Sequence, residues 1–512
     1  MKNKIILALL FLLFSFFVLA QMSEKEQVLK VGAENDIDIL APWDSVYTLR
    51  DKILWNVFEP LVILHENSTN IKPHLATSWK VSDNNRTWLI KLREGVNFHD
   101  GSSLTADDVV ASVSAFRPFN AKVEKVDRLT VRFILPEPKS GFLNWLAQGS
   151  FAIAPSKTVQ QYKLLKKEGK LQEFNPVGSG PFKFSRWEKG KEIILESFTN
   201  YWQGSPLLKK LVYQVIPDNK ERLSAIEKGE IDVIDVIFPA DLPRIKKKPM
   251  LKIVSTYGMN VCYIAMNTNL KPLNDIKVRK ALNLAVDKMR LARMFYYGGY
   301  GVPTNRILSP AFWGFSALPR PTEYRPAKAK QMLAEAGYKT GFTLNLLCVP
   351  GARPYLPDPE GMALEIKRQW AVIGVKLNIM VPANFAEFDS ITRDSRARNG
   401  DNDLTLVGWI ELTGDPDYTL TTLLSGEESA FNDAHWNNKL FDEKLKAAQR
   451  LPLSDVRGRI RLYNEAQKIF QDEAPWIPLF HTKIFVIHNQ RVRGIILYPS
   501  SMISYHKVKL EN

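Results

Sequence analysis

An α/β fold is predicted by two observations. Runs of strand length, rich in β-branched and aromatic residues, recur along the chain, and between them lie amphipathic segments with helix start and stop signals. Such alternation argues for sheets covered on their faces by helices. The chain has 512 residues, 45% hydrophobic and 24% charged, enough for two or three packed cores.

The elements follow in order. Residues 1–20 stand apart: Lys2 and Lys4 precede an apolar run over 5–19, and "VLA" ends it before Gln21. This reads as a secretory signal peptide cleaved after Ala20, the run being short for a membrane span of ~20 residues. No Cys stands near the cut to offer a lipid anchor. "TWLIKL" (87–92) reads as a strand, and "TADDVVASVSAF" as a helix opened by a Thr105/Asp108 capping box. "EIILES" (192–197), "LVYQVI" (211–216) and "TLNLLCV" (343–349) are further strands. One long helix is expected from Asn274 or Asp275 to Gly298-Gly299, with Ile276, Val278, Ala281, Leu282, Ala285, Val286 and Met289 on one face. Pro326 and Gly337 bracket another helix, as do Pro359 and Gly374.

The composition excludes several functions. The net charge is +15, and loss of Lys2 and Lys4 with the leader leaves +13, a moderate excess. No cluster of Arg and Lys beside stacking aromatics points to nucleic acid, and "KKKP" (246–249) reads as a solvated loop. There is no HExxH, GxSxG, GxxxxGK[ST] or CxxC, so neither catalysis nor a cofactor is expected. The seven histidines have no metal-ligand spacing. Cys262 and Cys348 are either one disulfide or two buried free thiols.

Three ordered blocks, "ATSWKVSDNNRTWLIKLREGVNFHDGSSLTADDVVAS" (76–112), "NPVGSGPFKFSRWEKGKEIILESFTNYW" (175–202) and "NTNLKPLNDIKVRKALNLAVDK" (267–288), carry a resemblance. They resemble the family 5 extracellular solute-binding proteins of peptide ABC importers, in particular the dipeptide-binding and antimicrobial-peptide-uptake (Sap) proteins. The resemblance implies a two-lobed α/β periplasmic binding protein fold, class II and of the large peptide-binding type. An extra subdomain in lobe I and a ligand cleft at the hinge are part of it. Lobe I is expected over 21–258, with its subdomain over about 61–178; lobe II over 259–484; and a return to lobe I over 485–512. The implied partners are a peptide or peptide-like solute and an inner-membrane ABC permease, the mature protein being a soluble periplasmic monomer. The same fold also serves haem, nickel complexes, glutathione and opines in the family, and a scavenger or chaperone of cationic peptides is a further alternative.

The resemblance also implies site residues. "RPY" at 353–355 matches a triplet whose arginine pairs with the peptide's C-terminal carboxylate; here that is Arg353, with Tyr355 beside it. A guanidinium fork suits a carboxylate through two parallel hydrogen bonds. The alternative is a surface pair between Arg353 and Asp358 or Glu360. Relatives hold the peptide's ammonium with an Asp three residues after a Trp, and the corresponding position after Trp409 is Leu412. Either Glu411 or Asp415 substitutes, or the guest carries no ammonium there, because a buried unpaired charge is costly. Ser45, Val46 and Tyr47 match the segment whose backbone holds an extended peptide. Gly426 and Asn437 stand where relatives have a cysteine pair, and the segment between Ser112 and Asp127 is short.

Overall fold

The computed structural model of the protein describes residues 27–511 apart from 45–48, 83–84, 117–119, 237, 316–320, 399–401, 428 and 430. At its centre is a 12-stranded sheet made of two halves. In one, Val28–Ala33 pairs in parallel with Lys210–Val215, and Glu192–Ser197 and Phe182–Glu188 follow antiparallel. In the other, Asn260–Met266 pairs antiparallel with Leu404–Ile410, which pairs in parallel with Phe342–Cys348 and through it reaches Val375–Met380. Every residue of Asn260–Met266 is buried, as expected of a central strand covered on both faces.

A single strand of 14 residues, Trp476–Asn489, belongs to both halves. Its first part pairs with Asn260–Met266, placing Cys262 opposite Phe480; its last part pairs with Leu251–Tyr257, placing Tyr257 opposite Lys483. The two halves are the sheets of two lobes, and the chain crosses between them at Gly258–Asn260 and at His481–Lys483. The crossings are tied together. Gly258 N donates to Thr482 O (3.1 Å); the Asn260 side chain donates to the same oxygen (3.1 Å) and accepts from Thr482 N (2.7 Å). Any side chain at 258 would collide with the Asn260 amide and sit 3.2 Å from Thr482 O, so the close crossing requires glycine.

Lobe I carries a subdomain. Its antiparallel sheet runs in the order Ala76–Val81, Thr87–Leu92, Thr130–Ile134, Lys122–Asp127, backed by the helix Ala106–Val113. Asp108 explains why that helix starts where it does: its carboxylate accepts from Thr105 N (2.9 Å) and also from Ser156 N (2.8 Å), tying the helix to the next one. The buried apolar side chains of the subdomain and of lobe II form one contiguous cluster, whereas the lobe I sheet around Leu29, Tyr213 and Val486 has a core of its own.

The strands at 87–92 and 192–197 and the helices Pro326–Glu335 and Pro359–Ala371 follow the sequence expectation, and "LVYQVI" and "TLNLLCV" each shift one residue towards the N-terminus. Gly337 and Gly374 stop their helices with φ of +92° and +87°. The long helix expected over 274–299 is a correction: it is two helices, Ile276–Leu284 and Lys288–Phe295. Asp287 causes the break. It caps the second helix by accepting from Arg290 N (2.8 Å), while its own N–H donates to Gln369 Oε1 (2.7 Å). Ile276 and Met289 are exposed to solvent and do not lie on the buried face they were expected to share. Cys262 and Cys348 are both buried free thiols, and burial pushes Cys348 up to about 12.

Candidate functional site

The subdomain of lobe I closes on lobe II. Asn85 Nδ2 donates to Gln449 O (3.1 Å) and Leu451 O (2.6 Å), Trp313 N donates to Thr69 Oγ1 (3.1 Å), and Trp145 meets Tyr418 edge-on at 5.0 Å. Two glycines permit the approach. A Cβ on Gly141 would lie 2.6 Å from Asp415 Cγ, and one on Gly414 would lie 2.7 Å from Thr69 Cβ. Where the lobes meet, a cavity of about 30 Å³ remains. Lobe I contributes Asp51 and Trp55, its subdomain Gln148 and Ser150, and lobe II Leu412 and Thr413.

Arg353 sits beside the hinge. Its loop is held there because Pro354 O accepts from Thr482 Oγ1 (3.3 Å) on the crossing strand and from Tyr300 Oη. The guanidinium stacks on Phe385 (4.4 Å) and donates through Nη2 to Pro350 O at 3.4 Å, but among the described residues its buried Nε has no partner. It makes no ion pair among the described residues: Asp358 instead caps its helix by accepting from Gly361 N (2.9 Å). Tyr355 is buried, with its ring against Gly408 and its carbonyl accepting from Tyr296 Oη (2.8 Å), so it braces the Arg353 loop.

Trp409 is half-buried, packs near Phe431 (5.3 Å) and Tyr418 (6.2 Å), and among the described residues leaves Nε1 without a partner. Glu411 and Asp415 are occupied elsewhere. Glu411 accepts from Thr413 N (2.8 Å), Thr413 Oγ1 (2.6 Å) and Gly414 N, so its carboxyl is folded onto its own turn. Burial, with Asp415 nearby, pushes it up to about 8. Asp415 pairs with Arg459 Nη2 at 2.8 Å in a buried ion pair and caps the helix Pro416–Leu424 by accepting from Asp417 N (3.0 Å). Ser45, Val46 and Tyr47 lie outside the described residues.

Sequence reasoning missed Asp51, Trp55, Gln148 and Ser150, which meet Leu412 only through the topology. It also missed a second cavity of about 290 Å³ in lobe I, beside the buried Glu59. Glu59 accepts from Tyr201 Oη (2.7 Å), Ser179 Oγ (2.7 Å) and Trp202 Nε1 (3.0 Å) and pairs with His74 Nε2 at 2.8 Å. Burial alone would raise its pKa, and these partners outweigh it, holding the carboxyl below the usual range. The signal was an acid inside the apolar run "NVFEPLV". Among the described residues no cluster of His, Cys, Asp or Glu could hold a metal, and no helix is long and apolar enough to cross a membrane.

Two α/β lobes joined by paired crossings, with a cleft between them, define a solute-binding protein. The chain belongs to the bacterial extracellular solute-binding proteins, family 5, whose middle region matches residues 70–431. It is 31% identical over 486 residues to the "Dipeptide-binding protein" of Escherichia coli, covering 89% of each chain. It is 34% identical over 489 residues to "Heme-binding protein A" of Haemophilus influenzae, covering 89% of this chain and 87% of that one. The solved structure of HbpA2 from Haemophilus parasuis superposes with a TM-score of 0.85 at 29% identity, covering 95% of this chain and all of that one. The protein is therefore a substrate-binding protein of the ABC-importer type, in a family of binding proteins and not of enzymes.

Proposed function

We propose that the protein binds a peptide or peptide-like solute between its lobes in the periplasm and delivers it to an inner-membrane ABC permease, without catalysis. The observation that carries this reading is Arg353, a stacked guanidinium beside the hinge with no carboxylate partner among the described residues. Tyr355 braces its loop, and Trp409 offers an apolar wall with an indole N–H that has no partner among the described residues. The guest's carboxylate completes the Arg353 fork. Asp415 holds Arg459 and its own helix, so it contributes to the site's frame and not to the guest.

The test is calorimetric. Arg353→Ala is expected to weaken binding of a free-acid dipeptide by about 10- to 100-fold, the range for hydrogen bonds to a charged group. The wild-type protein should bind the C-terminally amidated dipeptide as weakly as the variant binds the free acid. Undiminished affinity of the variant for the free acid refutes the assignment.

A further inference from the structure

The wall of the cavity between the lobes carries a single charged side chain. Of the described residues that line it only Asp51 is charged, and it enters from lobe I, across from Leu412 and Thr413 of lobe II. Arg50 Nε stands 3.8 Å from the Asp51 carboxylate, beyond hydrogen-bond reach, and Arg50 Nη1 pairs with Asp38 at 3.3 Å. One guanidinium shared by two carboxylates leaves a negative charge over, and of the three groups Asp51 alone lines the cavity. The acids of lobe II do not compete for that place. Glu411 has both carboxyl oxygens folded onto its own turn, and Asp415 holds Arg459.

Around Asp51 stand the other groups that a desolvated ammonium needs, since a buried charge is tolerated only when it is paired and its remaining hydrogens are bonded. Gln148 Nε2 and Ser150 Oγ line the same cavity, on residues 8% and 4% exposed, with no partner among the described residues. Ser150 Oγ accepts as readily as it donates, and the Gln148 carboxamide turned over presents Oε1. Trp55 lies one turn after Asp51, its N–H donating to Asp51 O (2.9 Å), and sets an indole on the same wall. Aromatic faces attract cations. The size agrees as well: a cavity of about 30 Å³ has room for one group the size of water, and an ammonium is such a group. A water can satisfy Gln148 and Ser150 in the guest-free protein. An ammonium satisfies them and also matches the charge of Asp51, which a water does not.

We propose that Asp51 is the anion for the guest's ammonium, supplied from lobe I opposite the lobe II position where Leu412 stands, with Gln148 and Ser150 accepting the remaining hydrogens. The inference rests on the peptide reading of the cleft and specifies a guest with a free amino end. Arg353 of lobe II serves the carboxylate. The two charges of a zwitterion are thus held by different lobes, and the guest bridges the cleft.

The experiment compares alanyl-leucine with propanoyl-leucine, the same molecule without its amine, by calorimetry on the full mature protein. The wild type is expected to bind alanyl-leucine about 10- to 100-fold more tightly, the range for hydrogen bonds to charged groups. Asp51→Asn, of the same shape and uncharged, should bring the two probes within about twofold of each other by weakening alanyl-leucine alone. A crystal structure of the wild type with alanyl-leucine should place the amine nitrogen within about 3 Å of an Asp51 carboxylate oxygen, which keeps the test decisive if the variant melts early. Equal or tighter binding of propanoyl-leucine by the wild type, an unchanged preference in Asp51→Asn, or an amine placed elsewhere overturns the inference and leaves the peptide reading standing. If neither probe binds, the peptide reading itself falls and the inference falls with it.

Discussion

Asp415 and Glu411 lie four residues apart on one turn, and their environments give them opposite behaviour. Asp415 pairs with Arg459 at 2.8 Å, and both side chains are sealed from solvent. Removing one partner of such a pair strands the other, so Asp415→Ala is expected to cost about 3–5 kcal/mol in a thermal or urea melt. At low temperature, where the variant stays folded, affinity for guest should survive, because the carboxylate does not reach the cavity. Glu411 is raised from 4.5 to about 8 by burial, so between these values the folded protein holds a proton that the unfolded chain has released. Its contribution to stability is therefore full below pH 4.5 and is lost as pH rises through 8. Urea midpoints measured across that window should fall with pH, and Glu411→Gln should flatten the slope.

At the scale of elements, the sequence spoke clearly where one residue type has one physical meaning. Pro326 and Pro359 start helices, Gly337 and Gly374 end them in the left-handed region, and the Thr105/Asp108 pair opens a helix. It spoke ambiguously at Asp287, which looks like a solvated charge on a helix face and is in fact the cap that splits the helix in two. Gln148 and Ser150 were illegible for a different reason. They line the cavity only because a 3₁₀ turn of the subdomain, Gly149–Phe151 with Gln148 at its start, faces the loop after Leu404–Ile410, more than 250 residues later. Arg353 was legible through the triplet it heads, but its freedom from Asp358 and Glu360 was a matter of folding. The elements also show how closure is read out. Gly141 is a point of contact between the subdomain and lobe II, and a larger residue there would press on the Asp415 carboxylate. Gly141→Val is expected to hold the lobes apart, raising the radius of gyration in small-angle scattering and lowering affinity about tenfold, since the guest must then restore the closed contact.

Across the whole molecule, two crossings tied by Gly258, Asn260 and Thr482 join the lobes, and the sheet stays continuous through Trp476–Asn489. The contact of subdomain with lobe II leaves a cavity of about 30 Å³, room for little more than water. A guest enters an opened form and favours closure by binding the closed form better. The positive net charge, +15 for the full chain and +13 without Lys2 and Lys4, favours anionic over cationic guests at long range, in the same sense as Arg353 at short range. The most direct test is a crystal structure of the protein bearing the guest it carries from its own cells. The account predicts electron density between the lobes, with a carboxylate oxygen within about 3 Å of the Arg353 guanidinium. A guest bound elsewhere, or one in the cleft that leaves Arg353 facing solvent, would contradict it.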